Sequence, residues 1–167
     1  MLSKEILIEL QEYIQNHKLS LIFDVCEAPK YCEKEAFLDI TTDEIENFIK
    51  KNRKPTLNQV LFSYIDKKGV SDTEVYKKAG IDRRHFSKIR SNPNYRPGKN
   101  TTIALAFALE LNQDDTHNLL SSAGYTLSDS ETSDLVILFC LEKKIYDIDL
   151  VNQALDYFSL KPLIGVI

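Results

Sequence analysis

Seven consecutive residues, Ile103-Ala104-Leu105-Ala106-Phe107-Ala108-Leu109, carry no polar side chain. A helix through them has no face to give to water, so the rest of the chain must cover it on several sides. Thr101 or Thr102 is expected to open this helix, which makes it the centre of an all-α, compact helical bundle over residues 55–167. Ahead of it, Asn92-Pro93-Asn94-Tyr95-Arg96-Pro97-Gly98 is dense in turn formers and reads as a loop. Behind it, Asn112 precedes a short acidic helix over Asp114–Ser122, closed by Gly124.

The remaining elements also read as helices. Ile6, Leu10, Tyr13 and Ile14 share one face of a helix over Ser3–Asn16, and Thr41 with Glu44 forms a capping box for a second over Thr42–Lys51, carrying Ile45, Phe48 and Ile49. Between them, Leu19–Asp39 is irregular; Leu21, Phe23 and Val25 alternate, but Ile22 breaks the pattern and no sheet is expected. Residues 1–54 therefore form a small N-terminal helical extension, ended by Lys54-Pro55. Thr56 caps the next helix, which buries Val60, Leu61 and Tyr64 and stops at Gly69. Ser128 or Asp129 is expected to cap an apolar helix over Leu135–Leu141. Asp147 caps the last, with Ile148, Val151, Leu155 and Phe158 at helical spacing. Tyr125, Tyr146 and Tyr157 are assigned to the core.

Composition excludes several function classes. No run approaches the roughly 18 apolar residues of a membrane helix, and Met1-Leu2-Ser3-Lys4-Glu5 leads into an amphipathic pattern without a signal-peptide core, so a cytoplasmic location is expected. Cys26, Cys32 and Cys140 lack zinc-ligand spacing and a disulfide framework; no metal or cofactor is expected, and Cys140 reads as a core residue. His17, His85 and His117 fall in separate helices. No phosphate loop, nucleophile elbow or zinc-protease motif occurs, so no catalytic residue and no enzyme activity are expected. Asp114-Asp115 and Asp147-Ile148-Asp149 read as helix-start carboxylates that favour the helix dipole, not as a cation loop.

The net charge of −4 hides a strong asymmetry. Residues 50–99 hold 14 Lys and Arg against four Asp and Glu, a net +10, while the other residues, 7 cations against 21 acids, carry −14. Within the basic half lie two short helical patterns around Gly80-Ile81-Asp82. Ser71 caps the first, Asp72–Ala79; Gly80 supplies a positive φ for the turn; Asp82 caps the second, Arg83-Arg84-His85-Phe86-Ser87-Lys88-Ile89-Arg90. In that second helix Phe86 and Ile89, with Ile81, give a buried side, and Arg83, Arg84, Ser87, Lys88 and Arg90 are left outside.

Residues 69–120 resemble the Cro-like, phage-repressor class of helix-turn-helix domains, the XRE family. Gly69-Val70-Ser71 is similar to the family's entry into helix two, Val75 to its buried aliphatic, Gly80-Ile81-Asp82 to its turn and cap, and Ile103–Leu111 to its long fourth helix. The resemblance implies DNA as partner, with Arg83, Arg84 and Lys88 at the base-contacting positions. Lys67, Lys68, Lys77, Lys78, His85, Arg90, Arg96 and Lys99 become candidate phosphate contacts. It also implies a homodimer, because one such unit makes few base contacts. The chain departs from the family at three positions: Asp72 stands for a phosphate-clamping glutamine, Tyr76 for a small residue and Arg90 for an acidic one.

A second resemblance spans residues 57–165. Thr73-Glu74-Val75-Tyr76-Lys77-Lys78-Ala79-Gly80-Ile81-Asp82-Arg83-Arg84, Phe86-Ser87-Lys88-Ile89-Arg90-Ser91-Asn92 and Ile145-Tyr146-Asp147-Ile148 are similar to a helical domain at the C-terminus of some bacterial macrodomain proteins. It implies a portable binding unit of prokaryotic or phage origin and, in a chain too short to hold a macrodomain too, no ADP-ribose chemistry. The expected function is thus nucleic-acid binding and transcription regulation, with DNA favoured and RNA left open. The alternative is a non-catalytic protein-interaction adaptor that holds a partner through the acidic face or the apolar tail Pro162-Leu163-Ile164-Gly165-Val166-Ile167.

Overall fold

The computed structural model describes residues 4–20 and 41–164, in which nine α-helices and no strand occur. They are α1 (Lys4–Ser20), α2 (Thr42–Asn52), α3 (Leu57–Lys68), α4 (Asp72–Lys78), α5 (Arg83–Ser91), α6 (Lys99–Ala108), α7 (Gln113–Ser122), α8 (Thr132–Glu142) and α9 (Ile148–Tyr157). The chain is an all-α bundle, and none of these helices is long and apolar enough to cross a membrane. The irregular stretch Leu19–Asp39 and the end of the apolar tail fall largely outside the described residues.

Two helices are buried around their whole circumference. In α6 every residue from Thr102 to Ala108 is buried, and in α8 every residue from Asp134 to Leu141. Such helices can exist in water only if neighbours cover all sides. α4, α7 and α9 pack on α6, and α1, α7 and α9 pack on α8, so α7 and α9 bridge the two. α1 joins the same core through Leu10 and Ile14, with Tyr13 edge-on to Phe139 at 5.6 Å between ring centroids. α2 contributes nothing to it: all its residues are exposed.

Helix boundaries follow local chemistry where a side chain can cap. Thr41 forms the expected capping box with Glu44, and the expected caps Ser71 and Thr56 form boxes as well, with Glu74 and Gln59. Asp82, Asn112 and Asp147 each accept a bond from a backbone N–H in the following turn. Gly69 closes α3 at φ +65. Gly80 closes α4 at φ +63, where its N–H donates to Lys77 O at 3.1 Å and that of Ile81 to Tyr76 O at 2.9 Å, the paired return bonds that finish a helix on a left-handed residue.

Both buried helices start earlier than expected. α6 begins at Lys99 behind Gly98, so Thr101 and Thr102 lie inside it, and Thr102 donates its hydroxyl to Gly98 O at 3.1 Å. α8 begins at Thr132 behind Glu131, so neither Ser128 nor Asp129 is its cap. In neither case does the residue before the helix make a side-chain cap, and the starts are tied across the fold: Lys99 and Asp134 pair at 2.5 Å, and the Asp134 carboxylate also takes the Ser128 N–H at 2.8 Å. One core assignment also fails. Tyr157 is exposed, stacked edge-on to its neighbour Phe158, while Tyr125 and Tyr146 are half-buried.

The full enclosure of α6 sets a measurable cost for opening it. Phe107, wholly buried and edge-on to Tyr146, should cost about 3–5 kcal/mol of stability when replaced by alanine. Phe48→Ala on exposed α2 should stay within about 0.5 kcal/mol. Urea unfolding followed by circular dichroism checks both.

Candidate nucleic-acid interface

α5 is a two-faced helix. Phe86 and Ile89 enter the core, where Phe86 meets Phe62 at 6.1 Å and Tyr76 at 5.9 Å between ring centroids. Tyr76, bulky where the repressor pattern has a small residue, is thus accommodated as an aromatic wall beside Phe86. The far end of α5 is held by α3: Asn58 Nδ2 donates to Ile89 O at 2.5 Å and to Arg90 O at 3.3 Å, satisfying carbonyls that a helix C-terminus leaves open. At its start Asp82 accepts from the Arg84 N–H at 2.7 Å. Anchored at both ends and packed along one side, the helix presents the rest of its surface outward.

Arg84, Ser87 and Lys88, at spacings of three and four, form the exposed row opposite Phe86 and Ile89. Arg83 is exposed as well but stands at the edge, beside a shallow hollow that it lines with Asp72, Thr73, Tyr76 and Arg90. Lys88 leans over the Tyr95 ring, its Nζ 4.2 Å from the centroid, and the Tyr95 hydroxyl is 3.2 Å from His85 Nε2. Tyr95 therefore holds the loop before α6 against the outer side of α5. That loop is pinned beneath as well, since Tyr125 donates its hydroxyl to Pro97 O at 3.1 Å.

The structure divides the expected cations into spent and unspent groups. Arg90 grips both oxygens of Asp72 at 2.6 Å and covers the Phe62 ring at 4.5 Å. Two of the three departures from the repressor pattern thus compensate each other: the carboxylate that would repel a phosphate is neutralised by the arginine that replaces an acid. Lys99 is committed to the buried carboxylate of Asp134, and half-buried His85 to Tyr95. Lys68 donates to Glu110 O at 3.2 Å and Lys78 pairs with the Glu110 carboxylate at 3.4 Å. Lys77 and Lys78 line a groove of about 410 Å³ with Glu110, Asp147 and Asp149, to which no α5 residue contributes. Lys67, Lys77, Arg83, Arg84 and Arg96 engage no carboxylate among the described residues.

Sequence reasoning missed part of this surface. A second groove, about 360 Å³, runs beside the loop and is lined by Arg53, Lys54, Tyr95 and Arg96 together with Thr56 and Asn94. It adds to Arg96 two cations not among the expected contacts, and the signal for them was the basic run from Lys50 to Lys54. Asn58 carried no such signal, because its partners lie 31 and 32 residues away. Away from this surface, burial pushes the Cys140 thiol up to about 12, which keeps it protonated.

No protein-family model matches the chain, and no curated protein or solved structure matches it.

The two groups of cations should respond oppositely to truncation. Lys99→Ala strands the Asp134 carboxylate, only 4% exposed, and should cost about 2–3 kcal/mol of stability. Arg84→Ala removes an exposed charge that engages no carboxylate among the described residues and should shift stability by less than about 0.5 kcal/mol. Thermal melts of the two variants side by side measure the difference.

Proposed function

We propose that this chain binds nucleic acid, with double-stranded DNA as the favoured form, by laying the outer face of α5 in a groove. The observation that carries the proposal is the selective exposure of cations. Neighbouring Arg90 and Lys99 are tied to carboxylates, while Arg83 and Arg84 at the start of α5 face outward with none. An unneutralised arginine pair on a rigidly anchored helix adds little to stability and is suited to an anionic ligand. A helix that enters the major groove by its N-terminal residues points its first positions, and one a turn further on, at base edges; here those are Arg83, Arg84 and Lys88. Arginine there offers two parallel donors to guanine. Ser87, in the same exposed row, adds a hydroxyl suited to a base edge or a phosphate.

Arg96, Arg53 and Lys54 extend the cationic surface past the C-terminal end of α5, and serve as phosphate contacts that fix register without reading sequence. Lys68, Lys77 and Lys78 belong to the separate surface around Glu110 and are dropped from this set. The regulatory role expected from the repressor resemblance rests on this same interface.

Fluorescence anisotropy with random and genomic duplex fragments, and with RNA, at two salt concentrations tests the reading. Affinity for duplex should fall steeply with salt, with a log–log slope of about −0.9 per phosphate neutralised. Arg83→Ala and Arg84→Ala should each cost about 1–3 kcal/mol on a preferred sequence, while Arg53→Ala should weaken all duplexes alike. Flat titrations with every duplex at low salt overturn the DNA reading, and binding confined to RNA redirects it to that polymer.

A further inference from the structure

α2 is a finished helix with no partner among the described residues. A capping box closes its start, the Arg53 N–H bonds Ile49 O at its end, and 11 residues give it a length of about 16 Å. Yet none of its residues is buried. Ile45, Phe48 and Ile49, at i, i+3 and i+4, make one apolar face that is 48, 69 and 47% exposed. Three large apolar side chains adjoining on a single free face mark a surface that another body covers.

The charges around that face say which body. Asp43, Glu44 and Glu46 lie in the first half of the helix, and Lys50 and Lys51 in the second, with Arg53 and Lys54 just beyond. A helix acidic at one end and basic at the other is complementary to itself when turned end for end. We propose that α2 is the self-association helix of this protein, pairing antiparallel with α2 of a second copy across a two-fold axis near Phe48.

The register follows from the sequence. With Phe48 opposite its counterpart on the axis, Ile45 of one copy lies beside Ile49 and Asn52 of the other, so the apolar faces close over one another. On one flank Glu44 of each copy meets Lys51 of the other, a contact that occurs twice because the interface is isologous. A parallel pair would set acid against acid and base against base. Glu46 and Lys50 bridge within one copy at 3.7 Å, away from the apolar face, and take no part in the contact. The pairing is independent of nucleic-acid binding and is tested without it.

Sedimentation equilibrium from low micromolar to submillimolar concentration should show the mass rising from 19.2 kDa toward twice that value. Phe48→Glu should weaken association about tenfold or more, with an unchanged melting temperature at low micromolar concentration, where the monomer prevails. Lys51→Glu, which sets Glu44 of the other copy against a second acid, should weaken it several-fold. A wild-type chain that is monomeric throughout overturns the proposal, and so does a dimer that survives Phe48→Glu. Association unchanged by Lys51→Glu rejects the antiparallel register. A melting temperature lowered by Phe48→Glu with no change in mass shows the face to be covered within the chain and overturns the pairing.

Discussion

The enclosure of α6 and α8 is the constraint from which the rest of the molecule follows. Each is apolar on every side, and neither can satisfy the other's whole circumference, so α1, α4, α7 and α9 are drawn around them. The cost of leaving such surface in water, about 25 cal/mol for each Å², exceeds any contribution from a cap or an exposed ion pair. The Lys99–Asp134 bridge sits at the start of both helices, where a buried carboxylate and a half-buried ammonium are tolerable only because each has the other. It contributes more to the alignment of the two helix starts than to net stability.

Much of this was legible in the sequence because it is local. Thr41, Ser71, Asp82, Asn112 and Asp147 act within a turn of their own position, and Gly69 and Gly80 adopt the backbone that only glycine takes freely. The starts of α6 and α8 were not legible, since what holds them joins residues 35 positions apart. The same division runs through the candidate interface. That Arg84, Ser87 and Lys88 lie outward follows from helical spacing against Phe86 and Ile89. That Arg90 belongs to Asp72, 18 residues back, or that Asn58 closes the end of α5, is a matter of tertiary approach. Amphipathic spacing also says that a face such as Ile45-Phe48-Ile49 should be covered, but not by what.

Counting positive charges would overstate the cationic surface of this chain. In the α5 region the informative quantity is which cations remain after internal carboxylates have taken theirs. Asp72, Glu110 and Asp134 each bind one lysine or arginine from the basic half, and those bonds fix α4 to α5, α4 to the end of α6, and α6 to α8. Of the others, those next to α5 lie on α5 itself, the loop after it and the segment before α3, while Lys67 and Lys77 lie on α3 and α4. The paired and the unpaired charges thus come from the same stretch of sequence and are separated only by the fold.

Cys140 has a consequence of a different kind. Its thiol lies in the middle of α8, shut off from solvent and held protonated, in a helix that cannot be exposed without dismantling its neighbours. An alkylating reagent reaches it only in molecules that have opened globally. Labelling of Cys140, told apart from Cys26 and Cys32 by peptide mass, is therefore a chemical clock: its rate counts excursions of the whole bundle, in the native buffer and without denaturant.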